Sequence, residues 1–192
     1  MSINCIRTLL EDAVQSHSEK PALLFNGAQM TYGELFSKVN QVACYLDELG
    51  LPPNSRIGVY SNKSIEQVIA ILAILSTDYV LVPLTRLLKP EQVEYIINDC
   101  GIRCIITDRL KLESVEEIDF DGHVIAYEGV GKDVPSFDEI YKYYNKPYSC
   151  DIGGHNNAMI TYSFGLTGTP KGIVISHRNL IDSARVVSQY LE

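Results

Sequence analysis

The chain has 192 residues, 46% hydrophobic and 21% charged, the make-up of a folded domain of ordinary size rather than a disordered segment. Its formal net charge of −8 argues against nonspecific binding to nucleic acid or to an anionic membrane. Any anionic ligand needs a local site that works against the overall field.

Five cysteines (Cys5, Cys44, Cys100, Cys104, Cys150) are scattered and odd in number, without metal-ligand spacing. Free thiols in a reducing cytoplasm are the expected state. The N-terminus lacks the basic and apolar regions of a signal peptide. The most apolar run, Val68 to Leu75, is too short to span a bilayer, so no transmembrane segment is expected.

Ile6, Leu9, Leu10, Ala13 and Val14 recur at helical spacing and predict a first helix from about Cys5 to Ser16. Asn26-Gly27 between Ala22–Phe25 and Ala28–Thr31 predicts a hairpin, because both turn residues need positive φ. Thr31-Tyr32-Gly33-Glu34 is a capping-box pattern, opening a helix with Leu35, Val39, Val42, Leu46 and Leu49 on one face. Gly50 is placed to end it.

Alternation follows. Ile57–Tyr60 predicts a strand, and Ser64-Ile65-Glu66-Gln67 a second capping box opening a helix that is apolar all round from Val68 to Leu75. Tyr79–Val82 reads as a strand covered on both faces, and Pro90 as the first turn of a helix facing inward through Val93, Ile96, Ile97 and Cys100. Cys104–Ile106 is the next strand. This strand–helix alternation predicts an α/β fold with parallel strands and right-handed crossovers. Beyond Lys111 the pattern weakens to a strand at His123–Ala126 and a short helix from Phe137 to Tyr144. A polar loop follows, then a strand over Ala158–Thr161, a glycine-rich stretch, a strand over Ile173–Ile175, and a helix capped by Ser176 and running through Leu180, Ala184, Val187 and Leu191.

The glycine-rich stretch is Tyr162-Ser163-Phe164-Gly165-Leu166-Thr167-Gly168-Thr169-Pro170-Lys171-Gly172. Glycines without Cβ atoms open backbone N–H groups to phosphate oxygens, hydroxyls add donors, and the lysine adds charge. It is not a Walker A loop, since no Gly-Lys-Ser/Thr opens a helix. A plain tight turn is the competing reading of the residues alone.

The stretch resembles the signature loop of the adenylate-forming (AMP-binding) superfamily. That loop reads roughly Tyr-Thr-Ser-Gly-Ser/Thr-Thr-Gly-x-Pro-Lys-Gly and is followed by a strand and Ser/Thr-His-x-Asn. Tyr162, Ser163, Gly165, Thr167, Gly168, Pro170, Lys171, Gly172, Ser176, His177 and Asn179 match it, whereas Phe164 and Leu166 replace small or hydroxyl residues. Upstream, Thr31-Tyr32-Gly33-Glu34-Leu35, Val80–Leu84 and Leu88–Gln92 are similar to further family landmarks in the same order. Thr77-Asp78 stands where the family has a small Ala-Gly pair, and Asp78 is expected to take the helix-ending, left-handed position.

The resemblance implies the fold class α/β: a mostly parallel sheet with flanking helices, the N-terminal portion of the large domain of an adenylate-forming enzyme. It divides the chain, as one incomplete domain over 1–192, into an α/β core (1–144), a connecting loop (145–157) and a strand, phosphate-binding loop, strand and helix (158–192). It implies an ATP- and Mg2+-dependent ligase, most readily an acyl-CoA synthetase. A carboxylic acid, and coenzyme A or the phosphopantetheine of a carrier protein, would be its partners. Ser163, Gly165, Thr167, Gly168, Thr169 and Lys171 would hold the phosphates. No catalytic residue and no metal ligand is expected within the chain, which by itself would be inactive. His177 is expected to position the loop's surroundings.

Two other readings compete at this point. One is a degenerate paralogue serving as a binding or regulatory module. The other, a dinucleotide-binding oxidoreductase, fails because Ser61-Asn62-Lys63-Ser64 after the first core strand lacks the Gly-x-Gly-x-x-Gly turn.

Overall fold

The computed structural model describes residues 5–129, 131, 134–144, 146, 148–164 and 170–191. In chain order its elements are α1 (Ile6–His17), β1 (Pro21–Phe25), β2 (Ala28–Thr31), α2 (Tyr32–Glu48), β3 (Arg56–Tyr60), α3 (Ile65–Ile74), β4 (Val80–Leu84) and α4 (Pro90–Cys100). They continue with β5 (Ile102–Thr107), α5 (Arg109–Glu116), β6 (His123–Ala126), α6 (Phe137–Tyr143), β7 (Asn157–Phe164), β8 (Pro170–Ser176) and α7 (His177–Leu191).

Local chemistry accounts for most of the element ends. Asn26 and Gly27 turn the β1–β2 hairpin at φ 48 and φ 82. Thr31 Oγ1 accepts from Glu34 N at 3.2 Å while Glu34 Oε2 accepts from Thr31 N at 2.8 Å, completing the capping box of α2. Pro90 occupies the first turn of α4, and Gly101 closes that helix in the left-handed region at φ 63.

Six strands form one sheet in the order β6-β5-β3-β4-β7-β8. All its pairings are parallel except β7–β8, which is antiparallel and puts a hairpin on the edge. Strand alternation divides the interior in two. Ile57 and Val59 of β3 join Ile106 of β5 in a core with Val39 and Leu46 of α2, Ile69 and Ala73 of α3, and Ile140 of α6. Tyr60 of β3 and Ile105 of β5 point the other way, to Val93 and Ile96 of α4 and Val115 of α5. The expected all-round burial of α3 holds, with no residue from Val68 to Leu75 exposed.

Several expectations are corrected. Gln67 does not complete a capping box on Ser64: its amide turns instead to the Ser61 hydroxyl at 3.2 Å, leaving Ser64 Oγ to cap Gln67 N alone. Asp78 is not in the left-handed region; α3 ends earlier, where the Ser76 and Thr77 hydroxyls satisfy the carbonyls of Leu72 and Ile74 at 2.7 Å. Helix α5 was not expected at all. Leu180 of α7 is half-buried and Ile181 buried, whereas Val187 and Leu191 farther along the predicted stripe are 56% and 79% exposed. All five cysteines are free thiols. Among the described residues, no helix is long and apolar enough to cross a membrane.

Candidate functional site

The signature stretch is less of a loop than its composition suggests. Strand β7 runs on through Phe164 and β8 starts at Pro170. Tyr162 therefore pairs with Gly172, Ser163 with Lys171 and Phe164 with Pro170. The strand-like runs on either side extend into the motif because cross-strand hydrogen bonds satisfy its backbone groups. Of the predicted phosphate ligands, Ser163 and Lys171 are thus directly opposite one another on one face of the hairpin. Both side chains are exposed, and Lys171 makes no ion pair among the described residues. An exposed ammonium across the hairpin from an exposed hydroxyl is suited to an anion. Gly165, Thr167, Gly168 and Thr169, with Leu166 between them, lie outside the described residues.

The opposite face of the hairpin is anchored. Tyr162 Oη donates to Asp99 Oδ2 of α4 at 2.6 Å, and Tyr95 Oη of the same helix donates to Pro170 O at 3.4 Å. Burial, then the Asp99 carboxylate, hold the Tyr162 phenol protonated far above its ordinary range. A Cβ on Gly172 would meet Tyr162 Cζ and Ile160 Cγ2 at 3.1 Å, so the missing side chain is what lets the tyrosine ring lie across β8. A cleft of about 300 Å³ opens beside this ring at the carboxyl ends of β3, β4 and β7, lined by Val59, Gln67, Ile71, Thr85, Leu88 and Thr161 among others.

Behind the hairpin, Ser176-His177-Arg178-Asn179 is a helix start. Asn179 Oδ1 accepts from Ser176 N and Oγ, at 3.3 and 2.7 Å, while Ser176 Oγ caps Asn179 N at 3.2 Å. His177 is fully buried, and its Nδ1 accepts from Ile6 N at 3.4 Å, so Nε2 carries the proton. Burial lowers its pKa to about 4. Among the described residues its Nε2 has no partner.

Comparison with known proteins decides what this hairpin belongs to. The profile of the family described as AMP-binding enzyme matches residues 10–192. The chain belongs to the AMP-binding enzyme family. It is 32% identical over 178 residues to surfactin synthase subunit 2 of Bacillus subtilis, covering 92% of this chain and 5% of that protein. It is 31% identical over 184 residues to zwittermicin A synthase ZmaJ of Bacillus cereus, covering 93% of this chain and 32% of that protein. Among solved structures, the anthranilate CoA ligase AuaEII in complex with anthranoyl-AMP superposes with a TM-score of 0.84 at 26% identity, over 93% of this chain and 36% of that one. A benzoate CoA ligase from Burkholderia xenovorans shares the fold with a TM-score of 0.84 at 23% identity, over 94% and 36% of the two chains. The chain spans well under half the length of each of these relatives.

Within this AMP-binding chain, sequence reading missed the residues that hold the site rather than those that form it. Asp99 and Tyr95 carry no motif, and their four-residue spacing on α4 was the one available signal that they share a face. Arg7 was missed as well. It is 6% exposed, donates to Asn40 Oδ1 at 3.0 Å and to the Tyr148 carbonyl, and pairs with Glu11 at 2.9 Å.

Proposed function

We propose that this chain supplies the phosphate grip of an ATP-dependent ligase that joins a carboxylic acid to a thiol. The observation carrying the reading is the exposed Ser163–Lys171 pair beside the glycine-rich tip of an AMP-binding enzyme. In the first step a carboxylate oxygen attacks the α-phosphorus of ATP, forming an acyl-adenylate and expelling pyrophosphate. Negative charge builds on the departing pyrophosphate, and donors already aimed at it lower the barrier. In this reading Lys171 supplies the opposing positive charge, Ser163, Thr167 and Thr169 supply hydroxyls, and Gly165 and Gly168 have no Cβ to keep a phosphate oxygen from the backbone. In the second step the thiol sulfur attacks the acyl carbon, a thioester forms and AMP leaves.

Among the described residues no group of three His, Cys, Asp or Glu is placed to hold a metal. Mg2+ belongs with the nucleotide's phosphates, where it is commonly bound through the substrate.

Two acceptors suit the second step. Coenzyme A is supported by the solved ligases that share the fold. The phosphopantetheine of a carrier protein is supported by the higher identity to synthase subunits, 32% against 26%. The test is acid-dependent exchange of pyrophosphate into ATP by the protein that carries this chain. Exchange with at least one of a broad panel of carboxylic and amino acids is expected. A folded protein that exchanges with none would overturn the ligase reading in favour of a binding or regulatory module, for which Phe164 and Leu166 in the signature stretch would be the first explanation.

A further inference from the structure

We infer that Asp99 and Tyr162 form a clasp that orients the Ser163–Lys171 pair for phosphate, making both of them positioning residues; this rests on the phosphate reading above. Beyond Met159 the hairpin is no longer in register with β4 among the described residues. Strand β7 registers on β4 through the single pair Leu81–Met159, and β8 pairs with β7 alone. Two strands by themselves are marginal in water, so the distal half of the hairpin needs another anchor to hold one direction.

Helix α4 is that anchor, and it holds both strands. Tyr95 and Asp99 stand one turn apart on one face of the helix. Asp99 accepts the Tyr162 hydroxyl at 2.6 Å on β7, and Tyr95 reaches the Pro170 carbonyl at 3.4 Å on β8. Tyr162 and Pro170 are the chain neighbours of Ser163 and Lys171, so the contacts hold both strands beside that pair. The Tyr162–Asp99 bond is the stronger of the two, being short and charge-assisted. Its geometry depends on Gly172, where a Cβ would meet Tyr162 Cζ at 3.1 Å. Ser163 and Lys171 are the next pair along and point to the opposite face. The clasp therefore fixes the hairpin from behind while leaving the ligand side free.

The test is calorimetric titration of MgATP into the chain and its variants. Lys171→Ala tests the phosphate reading itself and is expected to weaken binding about tenfold, the scale of one charge-assisted hydrogen bond. Tyr162→Phe and Asp99→Ala are expected to weaken it by a similar factor, and the double variant no further than either single one, because one bond is lost in all three. Asp99→Asn keeps an acceptor oxygen and is expected to recover most of what Asp99→Ala loses, which a general loss of folding would not allow. If Lys171→Ala weakens binding while Tyr162→Phe and Asp99→Ala bind like the unaltered chain, the clasp is wrong and the phosphate reading stands. Failure of Asp99→Asn to recover binding also overturns the clasp. Undiminished binding by Lys171→Ala, or no binding by the unaltered chain, overturns the reading and the clasp together.

Discussion

Two buried polar side chains, Arg7 and His177, tie α1 to the rest of the molecule. The Arg7 guanidinium lies between the Phe36 and Tyr148 rings, with its centre 5.6 and 5.5 Å from their centroids, so it joins α1, α2 and the segment before β7. Only the Glu11 pair, one turn along the helix, was legible locally, since Phe36, Asn40 and Tyr148 lie 29 or more positions away. His177 was expected from its motif to position the loop's surroundings; the contact it makes is with the Ile6 amide of α1, which was not legible. An imidazole that accepts through Nδ1 in a dry site must stay neutral. Its pKa is therefore about 4 in the folded chain, against 6.5 as the ordinary value. The unfolded chain binds more protons between these values, so stability is complete above pH 6.5 and falls as pH drops toward 4. The expected loss is on the order of 2 kcal/mol. Urea unfolding of the chain at pH 7 and pH 4.5, compared with that of His177→Gln, checks it: the variant should lack this part of the slope.

At the scale of elements, what is encoded within four residues was readable and what depends on a distant neighbour was not. The capping box of α2 and the β1–β2 turn follow from adjacent side chains. Gln67 followed the same pattern in sequence, yet its Nε2 turns to donate to the Ser61 hydroxyl and its side chain does not return to Ser64 N. Helix α5 escaped notice because it buries Val115 but leaves Leu110 77% exposed, which blurs its apolar face. Its one clear signal was Asp108, whose carboxylate caps Lys111 N at 2.8 Å. The β7–β8 hairpin is the most instructive element. Composition marked eleven residues as loop, but six of them are strand, and Gly172 makes room for an aromatic ring rather than for phosphate. Gly172→Ala should accordingly destabilise the chain by about 1 kcal/mol, through crowding of Tyr162 and Ile160. The midpoint of thermal unfolding would fall; an unchanged midpoint would mean that the ring gives way without cost.

For the molecule as a whole, strand–helix alternation was enough to predict a parallel α/β sheet with helices on both faces. The strand order was not, because β5 crosses to the far side of β3 and β7 returns beside β4 only through long-range packing. The candidate site was legible as chemistry, through Ser163 and Lys171, but not as a mounted object, because α4 contributes its anchor from more than sixty positions upstream. The central claim is that ATP's phosphates meet the tip of this hairpin despite a net charge of −8. A 21.4 kDa chain is small enough for amide-resolved NMR, so the direct measurement is a titration of MgATP into labelled protein. Saturable shifts concentrated at Ser163, residues 165–169 and Lys171 are the expected result. Shifts that leave these amides unmoved, or that centre elsewhere on the molecule, would contradict the account.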